Sequence, residues 1–202
     1  MRALLAAMNQ WISDGTEPPA ARLPKIANGT LVPLDALAFP KLPGQPLPKR
    51  IQRAWRVDYG PEFRSKGIVS IEPPKVGKPF VVLVPQTDAD GNETSGIRLP
   101  DVAVPLATYT GWNLRDPKIG APEELFSMAG SFLPFPRTKA ERAKNGDPRR
   151  SIEERHSSRA DYLGKVEAAA RDLVGGGYVL ESDVPKLLDR AARQWDYLMQ
   201  IR

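Results

Sequence analysis

MRALLAAMNQWISDG, residues 1–15, frames the reading of all that follows it. Leu4, Leu5, Met8, Trp11 and Ile12 recur at spacings of three and four, which sets them along one side of a helix. Gly15 stops that helix, and Pro18-Pro19 prevents its resumption. Arg2 and Ala3 offer no capping side chain, so the helix is predicted to start uncapped. A helix with one apolar side needs a surface to lay it on. The next stretch is a poor one. Residues 16–52 are dominated by proline and small polar residues, and can only drape over a surface made elsewhere. The stripe is therefore expected to be poorly covered by the rest of the chain.

The composition supports a proline-punctuated architecture. Of 202 residues 21 are proline, about twice the usual ~5%. They are spread from Pro18 to Pro185, which reads as short elements joined by rigid turns. The net charge of +5 raises nucleic-acid binding, but that needs cations gathered on one face. Between Arg137 and Arg155 the cations alternate with Glu141, Asp147, Glu153 and Glu154, so this run reads as a solvated mixed-charge surface. No nucleic-acid partner is expected. With no cysteine, the chain has no disulfide framework and no thiolate nucleophile or metal ligand. No apolar run approaches the ~20 residues of a membrane span, so no membrane contact is expected. The apolar stretch Ala3–Met8 is short, and Trp11 and Asp14 stand where a cleavage site would be, so it does not read as an export signal.

Beyond the proline-rich segment, with its Asn28-Gly29 turn, three short runs read as strands. These are Ala54–Val57, Gly67–Ile71 and Phe80–Val84, each bounded by proline or glycine. Phe80–Val84 is predicted to pair with Ser95–Leu99 across a solvent-exposed polar turn at residues 88–93. Asp88, Asp90 and Asn92 imitate a calcium loop, but Glu93 occupies its glycine position and Leu99 its bidentate glutamate position. A plain turn without metal is the better reading. Residues 100–136 are apolar and aromatic without a period, as in a buried or cavity-lining stretch. Tyr109, Trp112 and Asn113 are the candidate pocket-lining residues.

From Arg137 the chain turns helical. Thr138–Lys144 is a short helix broken at Asn145-Gly146-Asp147-Pro148. Ser151 and Glu154 form a capping box for a helix carrying Tyr162, Val166, Ala169, Ala170 and Leu173, ended by Gly175-Gly176-Gly177. A last helix near Ser182 carries Val184, Leu187, Leu188, Ala191, Trp195 and Leu198. Two such helices on a short loop read as an antiparallel pair. The predicted fold class is α+β: an orphan N-terminal helix, a proline-rich wrap, a small antiparallel sheet and a C-terminal helical pair.

Chemistry is scarce. Acyl transfer by a serine needs a base, and the single imidazole is His156, flanked by Arg155 and Arg159 in a polar stretch. Flanking cations do not orient an imidazole as a carboxylate would, so His156 reads as a surface residue. The G-x-S-x-G nucleophile elbow, the H-E-x-x-H zinc motif and the P-loop are all absent from the sequence. No catalytic residue, metal site or cofactor is assigned.

Three strings carry a family resemblance: ALLAAMNQWISDGTEPPAARLPKIANGTLV, VLVPQTDADGNETSGIRLPDVAVPLATYTGWNLRDP and FPRTKAERAKNGDPRRSIEERHSSRADYLGKVEAAARDLV. They resemble the C-terminal region of large bacterial α/β-hydrolase domain proteins, over nearly the whole chain. The resemblance implies an upstream sheet bearing nucleophile, acid and a histidine loop, the loop lying just before the helix at Arg2. None of those catalytic residues has a counterpart here. After Glu-Glu-Arg the family pattern leads one to expect an aromatic, where this chain has His156. On that footing residues 1–15 are the last helix of an upstream hydrolase core, 16–136 the proline-rich and antiparallel β region, and 137–202 the C-terminal helical region. Leu4, Leu5, Met8, Trp11 and Ile12 would meet the upstream core or a neighbouring chain. The intact protein would hydrolyse esters or related acyl compounds without a cofactor, and this chain alone would be inactive. The alternative is a stand-alone interaction module presenting Tyr109, Trp112 and Phe126–Phe135.

Overall fold

The computed structural model describes residues 1–200. Helix α1, Arg2–Asp14, closes at Gly15, whose left-handed backbone (φ 78°) lets its N–H return to the Trp11 carbonyl. No side chain caps its start. Ala3 is buried and Ala6 and Ala7 are half-buried, so α1 turns its small residues toward the protein. The large ones face out: Leu5 is 71% exposed, Ile12 80% and Trp11 54%. Arg2 pairs with Asp183 and ties the helix to the C-terminal region.

The wrap then runs through a 3-10 turn at Ile26–Asn28 into β1, Leu31–Pro33. Strands β2 (Trp55–Asp58) and β3 (Lys75–Pro79) pair antiparallel as a ribbon around α2, Phe63–Lys66. Strand β4, Leu83–Pro85, pairs antiparallel with β1, with Val84 opposite Val32. After α3, Pro100–Ala103, strand β5 (Ala107–Thr110) pairs antiparallel with β6 (Ser131–Pro134), with Tyr109 opposite Phe132. Helices α4 (Lys139–Asn145), α5 (Ile152–Arg155), α6 (Arg159–Gly175) and α7 (Val184–Gln200) complete the chain. The fold is α+β, with three separate two-stranded antiparallel sheets among the described residues.

The core lies where α6 and α7 meet the β5–β6 pair. Tyr162 and Val166 of α6 meet Ala191, Trp195 and Leu198 of α7, with Ile152, Leu106 and Phe135 beneath them. Each large apolar side chain so buried contributes roughly 1.5–3 kcal/mol. Tyr162 and Trp195 stack at 5.2 Å between centroids.

Several sequence expectations need correction. Phe80–Val84 does not pair with Ser95–Leu99. Pro85 cannot donate to a further ladder, and β4 is completed by β1 from the wrap instead. Gly67–Ile71 is not a strand; Ser70 and Ile71 donate to the Tyr59 carbonyl and form a turn. Lys75–Pro79, which has little β-branched character, is the strand that pairs with β2. The helix capped by Ser151 stops after one turn. The capping box is present, but His156 is extended and Ser158 starts α6 afresh, accepting from the Asp161 N–H at 3.1 Å. That break turns the His156 ring inward. His156 is only 6% exposed and is not a surface residue. Arg149 and Asp147 are buried too, so the Arg137–Arg155 run is not wholly solvated.

Candidate ligand cavity

An open cavity of about 350 Å³ lies between the wrap and the β4 and β5 strands. Leu34, Leu37 and Phe39 line it from the wrap, Val84 from β4, and Trp112 and Leu125 from the segment after β5. A proline-rich segment can hold such a wall only if its backbone groups find partners. Gln86 provides them: its amide accepts from the Ala38 N–H at 2.8 Å and donates to the Ala36 carbonyl at 3.1 Å. The Thr87 hydroxyl donates to the Ala38 carbonyl at 3.2 Å. Farther along the wrap, Lys49 pairs with Glu123 and Arg50 with Glu124, each at 2.8 Å.

The floor comes from the turn at residues 88–93. The Asp88 carboxylate accepts from the Asp90 and Asn92 N–H groups, and its other oxygen takes Arg98 at 3.1 Å. Gly91 has φ 79° and lies under the Phe39 ring. A Cβ there would stand 2.9 Å from the Thr108 methyl, so a side chain does not fit. Asn92 is fully buried; its amide donates to the Ala107 carbonyl at 3.0 Å and accepts from the Tyr109 N–H at 2.8 Å. It serves β5 as a neighbouring strand would. The turn predicted to be solvent-exposed is therefore pinned to β5, with Ala89 and Glu93 left outside.

Beneath it lies a polar knot. Arg155 pairs bidentately with the Asp90 carboxylate. Arg149 uses all five of its N–H donors, on Asp147, the Thr108 hydroxyl and the Leu133 and Pro134 carbonyls. Both guanidiniums pack on the Phe135 ring, at 5.1 and 4.2 Å. Burial works to raise the Asp147 carboxyl, but the hydrogen bonds and charge of Arg149 outweigh it and hold it below the ordinary value. Asp88 and Asp90 thus both face arginines. Among the described residues no three His, Cys, Asp or Glu side chains are grouped to hold a metal.

Of the pocket residues expected from sequence, Tyr109 and Trp112 line the cavity. Trp112 packs on Phe39 at 5.7 Å. The Tyr109 hydroxyl takes a hydrogen bond from Gln194 of α7 at 2.7 Å, and burial raises its pKa, with Asp101 adding to the effect. Asn113 stands outside the lining; its side chain accepts from the Leu114 N–H and its carbonyl from the Phe126 N–H. Sequence reasoning missed Leu34, Leu37, Phe39 and Glu93. The available signal was the scatter of apolar residues through an otherwise proline-rich segment. The Thr87 and Thr110 hydroxyls of the lining both donate to backbone carbonyls.

His156 stands outside the lining. His156 meets Tyr162 and Trp195 edge-on at 5.0 and 6.0 Å, and neither ring nitrogen has a hydrogen-bond partner. Burial, with Lys165 and Arg155 adding to it, lowers its pKa to about 4, with Asp161 opposing.

The sequence model of the alpha/beta hydrolase domain matches residues 1–189. The chain belongs to the alpha/beta hydrolase domain family. No curated protein and no solved structure matches it. For a member of this family the sheet pattern is informative: among the described residues every strand pair is antiparallel. No parallel sheet is present there to carry a nucleophile elbow.

Proposed function

We propose that this chain walls the substrate pocket of an alpha/beta hydrolase and contributes no catalytic group of its own. Ester or related acyl hydrolysis then depends on a triad borne by a sheet outside residues 1–200. The observation that carries this reading is the placement of His156. The only imidazole in the sequence is buried edge-on against the stacked Tyr162 and Trp195 rings, with no serine hydroxyl or carboxylate bonded to its nitrogens. The outward stripe of α1 supports the reading, since among the described residues Leu4, Leu5, Met8, Trp11 and Ile12 are left between 45% and 80% exposed. A hydrolase core or a neighbouring chain would cover that face.

The test is chemical. The purified chain is mixed with nitrophenyl acetate and butyrate, and separately with a fluorophosphonate followed by intact-mass measurement. The expected result is hydrolysis no faster than a histidine-free control, with no added mass. A phosphonate adduct on one serine, accompanied by an acyl-enzyme burst, would overturn the proposal.

A further inference from the structure

The cavity differs from a generic apolar dent in its single charge. Glu93 is the one charged residue among those lining it, and it is exposed at the rim. Three cations near it are engaged, Lys49 by Glu123, Arg50 by Glu124 and Arg98 by Asp88, and Lys41 of the adjoining loop stands outside the lining. An anionic head would meet Glu93 with no cation in the lining to offset it, whereas a cationic head would meet a complementary charge. The rest of the wall is apolar and aromatic, with Phe39 and Trp112 set at 59° to each other. A volume of about 350 Å³ falls near the small end of the roughly 300–1,000 Å³ typical of ligand sites. Gln86, Thr87 and the prolines hold the wrap in place, so the site is formed before any ligand arrives.

We propose that this cavity binds a compact arylalkyl or alkyl group bearing a cationic head, with its apolar body against Phe39 and Trp112 and its head at Glu93. The proposal rests on the pocket-wall reading above and narrows it to a substrate class. The experiment follows the Trp112 indole N–H by NMR, assigned with Trp112→Phe, while phenethylamine, phenethyl alcohol or hydrocinnamate is added at low salt. The three share a phenyl body and differ in the charge of the head. Saturable shifts are expected, with the amine about five-fold tighter than the alcohol, as an exposed ion pair allows, and the carboxylate weakest. Glu93→Gln, an exposed change, should remove the advantage of the amine and leave the alcohol unaltered. Val84→Phe should fill the cavity and weaken all three. No saturable shift with any probe, a carboxylate that binds as well as the amine, or an advantage that survives Glu93→Gln would each overturn the proposal. A chain that binds the amine yet is labelled by fluorophosphonate breaks the pocket-wall reading alone. A chain inert to phosphonate and indifferent to all three probes breaks only this one.

Discussion

Helices α1 and α7 are written in the same code and meet opposite fates. Each is amphipathic and each carries a tryptophan on its apolar side. Trp195 of α7 is 8% exposed and stacked on Tyr162, whereas Trp11 of α1 is 54% exposed. Periodicity determines that a helix forms and which residues share its face. It does not determine what that face meets. For α7 the partner is α6, one short glycine-bearing turn away, with a complementary stripe. For α1 the next segment is proline-rich; Ala3, Ala6 and Ala7 are the best covered, and Leu4, Met8 and Trp11 stay about half exposed.

The comparison is most severely tested at its buried end. Trp195→Ala should cost roughly 3–5 kcal/mol in urea unfolding, the range for an aromatic removed from a packed core. A loss under about 1 kcal/mol would mean that the α6–α7 contact is loose in solution and that the two helices differ little.

The second effect is polar. Asn92→Ala removes both bonds to β5 and leaves the Ala107 carbonyl and Tyr109 N–H unpartnered, at roughly 1–3 kcal/mol for each buried group. Hydrogen exchange at Tyr109 should rise with it. An unchanged unfolding midpoint would show that the 88–93 turn merely rests on β5.

How much of this was legible depended on whether one face of an element is buried. The α6–α7 pair, the Ser151 capping box and the Gly15 stop were all readable, because burial and capping leave periodic or positional marks. Strand β3 was missed because its residues are exposed or only half-buried, so KVGKP carries no alternation to detect. The β1–β4 pairing joins residues some fifty positions apart and left no local signal. Asn92 looked like an ordinary turn residue, and its strand-like role depends on a neighbour that local sequence does not reveal. At the cavity Tyr109 and Trp112 could be singled out by composition, but Phe39 and Glu93 required the fold. His156 was misread because its polar neighbours in sequence are not its neighbours in space.

A third, smaller effect depends on pH. With a folded-state pKa of about 4 against an ordinary 6.5, the unfolded chain takes up the His156 proton first as pH falls. The stability tied to the neutral ring is therefore fully present above about pH 6.5 and drains away down to about pH 4. His156→Phe keeps an aromatic ring against Tyr162 and Trp195 and removes that titration. Its urea midpoint should fall less than that of the native protein between pH 7 and about pH 4.5. Parallel declines would place the imidazole in water.

The smallest expected change lies at the exposed end of the comparison, and it decides whether that end is truly uncovered. Leu5→Gln and Ile12→Gln together remove two outward side chains while keeping residues that tolerate a helix. If α1 presents them to solvent, the unfolding free energy should move by no more than about 0.5 kcal/mol for each, as at an ordinary surface position. Self-association is the property that should respond, because an unpartnered apolar stripe is the part of α1 that a second molecule can bury. Sedimentation velocity across a concentration series should show less association for the double variant, at unchanged helicity. A destabilisation of several kcal/mol would mean instead that Leu5 and Ile12 are covered within the chain in solution. The contrast between α1 and α7, and with it the support that the stripe lends to an external hydrolase core, would then be lost.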